Sequence, residues 1–471
     1  MERKNAWESY TKKQKDEVFA FAEGYKEFIS NNKTERECAA TFEKRALEAG
    51  FVRIEDILKK KKKLKSGDKV FCSNMGKEIA MFVIGKEPIE NGMNILGAHI
   101  DSPRLDIKQN PLYESEGLAL LDTHYYGGIK KYQWVTLPLA LHGVVVKKNG
   151  EKVYINIGEK DDDPVFGVTD ILIHLAGKQM EKKAAKAVEG EKLDVLVGSM
   201  PEKTSAGAEK NEKDPVVKAL KKILKKEYGI EEDDFLSAEI EVVPAGAARD
   251  FGFDRSLIMG YGQDDRSCAY PSFEAILKAG TPRRTAVCLL VDKEEIGSVG
   301  ATGMTSRFFE NMTAELMNAA GQYSELGLRR ALAASCVLSS DVSAAFDPNY
   351  ADCFEKKNAA FLGKGIVFNK FTGSRGKSGS NDANAEYMGH IRDILDKKKI
   401  FFQTAELGKV DEGGGGTIAY ILAEYGMNVI DSGVAVLNMH APWEITSKAD
   451  LYEALKCYEA FLESADPTKL Y

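Results

Sequence analysis

The pattern of apolar and polar positions predicts helices that alternate with buried strands along most of the chain. Apolar residues recur at helical spacing between residues 13 and 30, which is typical of an amphipathic helix. Short apolar runs at 69–74, 78–85 and 93–101 instead predict strands, and 416–426 predicts another helix. This alternation favours an α/β fold in which helices pack on both faces of a mixed or parallel sheet.

Another apolar run, at residues 286–291, predicts a buried strand that ends at Asp292 and leads into Glu294, Glu295 and a glycine-rich turn. Open α/β sheets place their ligand chemistry at such strand ends. Because adjacent side chains point in different directions, we expect the two glutamates to differ in role. One could bind a metal while the other acts as a general base on water. An isolated pair of glutamates would more often be a solvated acidic turn.

Three further strand ends and one loop carry side chains of related chemistry. His99 ends a predicted strand, and Asp101 follows two residues later on the same face of an extended chain. Asp341 and His440 lie at the ends of two more predicted strands, and Asp264 lies just before a predicted helix. The chain has six histidines in all, so two of them at strand ends make a shared site the better interpretation.

Two histidines and three carboxylates form a nitrogen and oxygen ligand set that suits zinc, with cobalt or manganese as alternatives. Five such ligands suffice for two divalent metal ions per subunit if one carboxylate bridges them. Two ions about 3.5–4 Å apart can stabilise the oxyanion of an attacked carbonyl. Glu294 is then the candidate base that takes a proton from water and passes it to the leaving amine. The set therefore predicts metal-assisted amide hydrolysis.

Residues 104–248 differ in character and predict a domain inserted between two parts of the main domain, 1–103 and 249–471. Residues 136–158 predict a β-hairpin with its turn at Asn149 and Gly150, because Asn-Gly is a strong hairpin signal.

The rest of the inserted segment carries no obvious catalytic set. Residues 202–214 are charged and predict an exposed loop, and 218–229 predict an amphipathic helix closed by Gly229. His174 is the most interesting residue of this segment, and a buried or partly buried structural histidine is the default interpretation for it.

Five segments resemble, in the same order, the M18 family of metallo-aminopeptidases, whose members are aspartyl aminopeptidase-like. They are LGAHIDSPRLD, GQDDRSC, VDKEEIGSVGATGM, SSDVSAAFDP and LNMHAPWE. The resemblance implies a dinuclear zinc site with Asp264 as the bridging ligand; the matching ligands are His99, Asp264, Glu295, Asp341 and His440. It also implies that Glu294 is the general base and that Asp101 supports His99.

The resemblance also implies an architecture and an assembly. The expected fold is an α/β catalytic domain of the zinc-peptidase, phosphorylase/hydrolase-like type, with a mixed sheet sandwiched by helices. A smaller β-rich dimerisation domain interrupts it, and homo-oligomers, usually tetrahedral dodecamers built from dimers, are expected. His174 would be the counterpart of a family histidine that reaches the active site of a neighbouring subunit.

Substrate preference is less well defined by the sequence. Family members selective for N-terminal Asp or Glu need a fixed cation to meet the acidic side chain. Residues 365–380 contain Lys370, Arg375 and Lys377, of which Lys370 and Lys377 are the candidate substrate-binding residues. This segment departs from the lysine-bearing stretch of the acid-specific enzymes, so a neutral or broad preference is the alternative.

Composition excludes several other classes of function. A net charge of −7 leaves no basic excess for nucleic-acid binding. The chain begins without the apolar core of a signal peptide, and no apolar run of about 18 residues predicts a membrane span. Seven scattered cysteines without a CxxC pair are typical of a reducing compartment, so we expect a cytoplasmic location.

Two other hypotheses remain open beside an aminopeptidase that acts on peptide substrates. A dinuclear carboxypeptidase or amidohydrolase would use cations to grip the substrate's C-terminal carboxylate, and it would still cleave a peptide whose amino terminus is blocked. A metal-stabilised assembly protein without turnover would be unaffected in function by Glu294→Gln.

Overall fold

The computed structural model describes residues 4–202, 213–373, 377 and 379–470. The chain divides into two compact units. The first unit consists of Met1–Asp101, Ala248–Met439 and Glu444–Tyr471, and the second consists of Ser102–Ala247 and His440–Trp443. That the second unit serves in dimerisation stays a prediction.

A nine-stranded mixed sheet forms the centre of the first unit. Its strands lie in the spatial order Val52–Arg53, Lys69–Asn74, Glu78–Val83, Thr285–Val291, Met93–His99, Cys336–Ser340, Asn428–Gly433, Ile366–Asn369 and Phe402–Thr404. The four strands from Thr285–Val291 to Asn428–Gly433 are mutually parallel. Antiparallel pairs flank this parallel centre on both sides.

Both faces of the sheet are buried, which explains the uninterrupted apolar run of its central strand. Ala286, Cys288 and Leu290 pack into one core, whereas Val287 and Leu289 pack into a second core on the opposite face. Successive side chains of a strand point to opposite faces, so a strand between two cores must be apolar throughout.

Helices supply the other side of each core. The first core includes residues of Lys12–Asn31, Glu35–Glu48, Gln263–Lys278, Ala385–Lys398 and Lys448–Ser464. The second includes residues of Ile54–Lys59, Phe308–Ala319, Glu325–Ala333 and Ala419–Ala423. The predicted α/β fold with a helix-covered mixed sheet is confirmed. Shorter helical segments of this unit are Ala6–Ser9, Ile89–Asn91, Glu294–Ile296, Pro348–Cys353, Lys356–Asn358 and Pro467–Lys469.

A second, five-stranded sheet in the first unit corrects one prediction. Its strands are Arg249–Phe251, Leu257–Gly260, Glu444–Ser447, Ala435–Leu437 and Ser343–Ala344 in spatial order. Residues 433–444, predicted as one strand ending at His440, therefore contribute to two antiparallel strands. His440 lies in the connection between them. Asn438 and His440 adopt φ values of 61° and 64°, and this left-handed backbone interrupts an extended chain.

The second unit is built on a six-stranded antiparallel sheet. Its strands lie in the order Lys152–Ile157, Leu139–Val146, Ala238–Pro244, Arg104–Ser115, Leu118–Tyr126 and Val195–Gly198. The hairpin predicted in residues 136–158 is confirmed by the antiparallel pairing of its first two strands. The helical segments of this unit are Lys131–Gln133, Ile173–Leu175, Gly177–Met180, Ala184–Ala187, Gly190–Lys192, Pro215–Ile223, Leu224–Tyr228 and Glu232–Ser237.

The predicted helix at 218–229 is confirmed, with an earlier start at Pro215 and a π-helical last turn. Gly229 closes it with φ of 67°, a conformation that glycine adopts without strain. Most of the exposed loop predicted at 202–214 lies outside the described residues. Within the described part of the chain, no helix combines the length and apolarity needed to cross a membrane.

Candidate active site

The central parallel strands bring the predicted site residues to one edge of the sheet. Val291 pairs with His99 at the ends of two adjacent strands, and the strand Cys336–Ser340 lies on the other side of His99's strand. Parallel strands have their carboxyl ends at the same edge, which is where α/β sheets bind ligands. Glu294 and Asp341 therefore follow their strands at the edge where His99 lies.

Five of the predicted residues meet at this edge. The Nε2 atom of His99 lies 3.1 Å from Oδ1 of Asp264 and 4.0 Å from Oε2 of Glu294. The possible ligand atoms of His99, Asp264 and Glu295 lie within 4.8 Å of one another, as do those of His99, Glu294 and Asp341. The structure thus gathers one imidazole and four carboxylates around a common centre.

Asp101 connects the histidine to the glutamate pair. It is fully buried, and its Oδ1 lies 3.2 Å from Nδ1 of His99. The backbone N–H groups of Glu294 and Glu295 donate to its two carboxylate oxygens, each at 3.2 Å. A proton held on Nδ1 places the lone pair of His99 on Nε2, the nitrogen that faces the carboxylates and would bind a metal.

The crowded negative charge perturbs the acid–base chemistry of the site. Burial, and then repulsion by Asp264 and Glu294, raises the pKa of Asp341 well above its usual range. Burial lowers the pKa of His99, but its bonds to Asp101 and Asp264 outweigh this and raise it. Carboxylates this close together and largely shielded from water need a compensating cation. Oxygen donors with one imidazole nitrogen fit a divalent metal such as zinc.

Sequence reasoning assigned no role to Asp265. Its side chain is fully buried, and its ligand atom lies within 4.8 Å of those of Asp264 and Asp341. Burial, and repulsion by Asp264, raises its pKa. Its place beside Asp264 in GQDDRSC was the one available signal, and adjacency in sequence does not show which way a side chain points.

Sequence reasoning also assigned no role to two further buried acids near the glutamate pair, Glu78 and Asp292. Asn74 donates to Glu78 at 2.7 Å, and Thr302 donates to Asp292 at 2.6 Å. Burial, partly offset by the Asn74 bond, raises the pKa of Glu78 to about 8. Burial together with Glu35 and Asp101 raises the pKa of Asp292 to about 6. Glu78 is therefore mostly protonated at neutral pH.

His440 belongs to the second unit, and it is outside the ligand groups formed by the described residues. Its Nδ1 atom lies 2.8 Å from the backbone carbonyl of Gly128. A hydrogen donated to this carbonyl leaves the lone pair of His440 on Nε2, as in His99. The ring thus has the tautomer that a metal ligand needs.

His174 does not have the buried position that was its default interpretation. It lies on the short helix Ile173–Leu175 and is exposed, as are its apolar neighbours Leu172, Ile173 and Leu175. The default interpretation is therefore wrong for the isolated chain. An apolar run indicates burial in general, but this one is not buried in its own subunit.

The two candidate substrate lysines differ in their surroundings. Lys377 Nζ lies 3.2 Å from Asp382 and 4.0 Å from the centre of the Phe371 ring, so its charge is already offset. Lys370 is exposed and has no ion partner among the described residues. Arg375 lies outside the described residues.

Comparison with known proteins identifies the family. The chain matches the family described as aminopeptidase I zinc metalloprotease (M18) over residues 28–462. The chain belongs to the M18 family. It is 63% identical over 463 residues to a probable M18 family aminopeptidase 1 of Clostridium acetobutylicum, a match that covers 98% of each protein.

Solved structures agree with this assignment. The crystal structure of an M18-family aminopeptidase from Thermotoga maritima is 44% identical, has a TM-score of 0.93 and covers 99% of this chain and 100% of that one. The S. cerevisiae mApe1 dodecamer has a TM-score of 0.74 and covers 94% of this chain and 96% of that one. At 18% identity the latter shows the fold alone.

The resemblance read from the five motifs is thereby confirmed. This M18 aminopeptidase is a metal-dependent hydrolase and an exopeptidase that acts at the amino terminus of peptides. Family membership decides against the carboxypeptidase and against an assembly protein without turnover.

We predict that Glu78→Gln makes this M18 aminopeptidase more stable relative to wild type as the pH rises. In the folded protein the pKa of Glu78 is about 8, against an ordinary value of 4.5. Unfolding therefore releases a proton between these values, and wild-type stability falls as pH rises through this window. Glutamine keeps the oxygen that accepts from Asn74 and cannot ionise.

The measurement is the melting temperature of both proteins from pH 5 to pH 8. The difference should be small at pH 5 and grow toward pH 8, whereas the exposed control Glu424→Gln should show a constant difference. A difference between Glu78→Gln and wild type that stays flat across this range contradicts the prediction.

Proposed function

We propose that the protein is a dinuclear metal aminopeptidase that removes the N-terminal residue of peptides, with two zinc ions per subunit and cobalt or manganese as alternatives. The residues that would hold these ions are His99, Asp264, Glu295, Asp341 and His440. The observation that carries this proposal is the set of four carboxylates, buried or partly buried, around His99, with Asp101 bonded to His99 and to the backbone of both glutamates. The donor chemistry fits zinc, and the family consists of zinc metalloproteases.

The chain's own residues divide the chemistry between them. Divalent ions bound here would polarise the scissile carbonyl and lower the pKa of the attacking water. Glu294 takes a proton from that water and passes it to the leaving amine. Its side chain is 16% exposed whereas that of Asp264 is 4% exposed, so water and substrate reach Glu294 more readily than Asp264. Asp101 fixes the backbone of Glu294 and so orients this base.

We expect Glu294→Gln to lower kcat by roughly 10²–10⁴-fold, the usual contribution of a general base. The metal content, measured by elemental analysis, should stay at the wild-type value because glutamine preserves the shape of the site. His99→Ala should instead lower the metal content, since it removes a nitrogen donor. The exposed control Glu424→Gln should change neither quantity.

Two outcomes would count against these roles. A substantial fraction of wild-type kcat in Glu294→Gln would exclude it as the base. Unchanged metal stoichiometry in His99→Ala would exclude His99 as a ligand.

In wild type, a chelator should abolish cleavage, and acetylation of the peptide's amino terminus should do the same because an aminopeptidase recognises the free amine.

For specificity we propose a preference for N-terminal Asp or Glu, read by Lys370. The charge of Lys377 is already offset by Asp382, whereas Lys370 is exposed and could meet an acidic side chain. Neutral or broad specificity is the alternative. A charge-assisted hydrogen bond contributes about 1.5–3 kcal/mol, which corresponds to about ten-fold or more in kcat/KM.

The test uses Asp-, Glu- and Leu-anilides with wild type, Lys370→Met and the matched control Lys377→Met. We expect wild type to favour the acidic substrates and Lys370→Met to lose that preference about ten-fold, with cleavage of Leu-anilide unchanged. Lys377→Met should keep the wild-type order of substrates. If wild type cleaves Leu-anilide fastest, acidic specificity is wrong and the hydrolytic mechanism is unaffected.

We also propose that the protein is a homo-oligomer, a tetrahedral dodecamer built from dimers, in which His174 reaches a neighbouring active site. Support comes from the exposed apolar stretch Ile171–Leu175 of the second unit, since such surface is typical of an interface. The similarity in fold to the S. cerevisiae mApe1 dodecamer agrees with it.

We expect Ile173→Glu to reduce the mass of the particle measured by light scattering, because a charge would be buried in the interface. Leu326→Glu, a matched change at an exposed leucine of the first unit, should leave the mass unchanged. His174→Ala should keep the particle but lower kcat. An intact particle in Ile173→Glu and wild-type kcat in His174→Ala would contradict the proposal.

We propose that the protein works in the cytoplasm on peptides. All seven cysteines are free, and only Cys353 among them is exposed, which suits a reducing compartment. The chain's negative net charge gives no basis for nucleic acid as a partner.

A further inference from the structure

The two glutamates lie on a turn that apolar packing does not hold. We call residues 293–303, between Asp292 and Met304, the glutamate turn. Its apolar side chains Ile296 and Val299 are 48% and 70% exposed. Gly297 and Gly300 have φ values of 93° and 133°, so the backbone here is intrinsically permissive. The position of the turn must therefore come from polar contacts.

One such contact joins the two ends of the glutamate turn. One carboxylate oxygen of Asp292 accepts from the backbone N–H of Lys293 at 2.7 Å, and the other accepts from the hydroxyl of Thr302 at 2.6 Å. The backbone N–H of Asp292 donates to the carbonyl of Thr302 at 3.1 Å. Asp292 and Thr302 are almost completely buried, so water competes little for these bonds.

A second contact joins the returning end of the turn to the end of the strand Lys69–Asn74, which lies next but one to Thr285–Val291 in the sheet. The side-chain N–H₂ group of Asn74 donates to the carbonyl of Ala301 at 2.8 Å and to Glu78 at 2.7 Å. Glu78 is fully buried and fixes the orientation of the amide. At the front of the turn, Asp101 accepts from the backbone of both glutamates.

We propose that Thr302, assisted by Asn74, is a positioning residue for the reaction. Its hydroxyl fixes the return of the glutamate turn and thereby the placement of Glu294 and Glu295. This inference rests on the proposed roles of those glutamates as base and metal ligand. Because a misplacement of about 1 Å can cost roughly 10²-fold in rate, loss of one anchor should be visible in kcat.

The test is Thr302→Val, which keeps the volume of the side chain and removes its hydroxyl. We expect kcat at saturating metal to fall about ten-fold or more, with KM changed less than about two-fold. The metal concentration needed for half-maximal activity should rise, because Glu295 lies on the same turn. Thr302→Ser restores the hydroxyl and should recover most of the wild-type kcat.

Thr313→Val is the matched control. Thr313 is also fully buried, and its hydroxyl donates to the carbonyl of Phe309 within a helix. A purely structural hydroxyl should lower the melting temperature and leave kcat and metal activation unchanged. If Thr302→Val behaves as Thr313→Val does, the inference is overturned.

Asn74→Ala provides a second route if Thr302→Val does not fold, because Asn74 is only half-buried. It should lower kcat in the same way, whereas Asn31→Ala, which removes an exposed amide bonded to Glu27, should not. Wild-type kcat in Asn74→Ala would overturn the inference by this route. Glu294→Gln distinguishes a failure of the proposed function from a failure of this inference. If Glu294→Gln retains activity, the proposed base is wrong. If it is inactive while Thr302→Val has wild-type kcat, only the positioning role of Thr302 is wrong.

Discussion

The site depends on one buried carboxylate that joins two parts of the sheet edge. Asp101 bonds to His99 on its own strand end and to the backbone of Glu294 and Glu295 on the adjacent one. A single anion thereby sets the tautomer of the imidazole and the position of both glutamates. Its removal would break the bonds that join the imidazole on one strand end to the backbone of the two glutamates on the other.

The same edge accumulates more negative charge than a folded protein keeps without compensation. His99 is surrounded by Asp264, Glu294, Glu295 and Asp341, and mutual repulsion adds to burial in raising the pKa of Asp341. Such a cluster lowers stability unless a cation occupies it. The cost indicates that the arrangement is retained for binding rather than for folding. The description of the family as zinc metalloproteases also indicates that this cluster binds a metal.

The helix-covered sheet and the gathering of site residues at its edge could be predicted from the sequence. The apolar runs at 286–291 and 93–101 indicate buried strands, and the polar residues that follow them mark the strand ends. Other features could not. His440 lies in a loop whose left-handed residues are not visible in the pattern VAVLNMH. His174 lies in an apolar stretch that resembles core but is exposed in a single chain. Asn74 contacts Ala301 across 227 positions, and Asn74 lies outside the five family motifs.

The buried acids Asp292 and Glu78 can be explained by two opposing requirements on the glutamate turn, which must be accessible to solvent and must also be held in place. In its proposed role as the base, Glu294 must contact water and substrate, so its turn cannot be covered by a core. Ile296 and Val299 are exposed accordingly. A base also has to be held within a fraction of an ångström to act efficiently. The turn must then be held by hydrogen bonds to groups that are shielded from water. Asp292 and Glu78 meet that need, and their raised pKa values are the consequence of placing acceptors where solvent cannot loosen them.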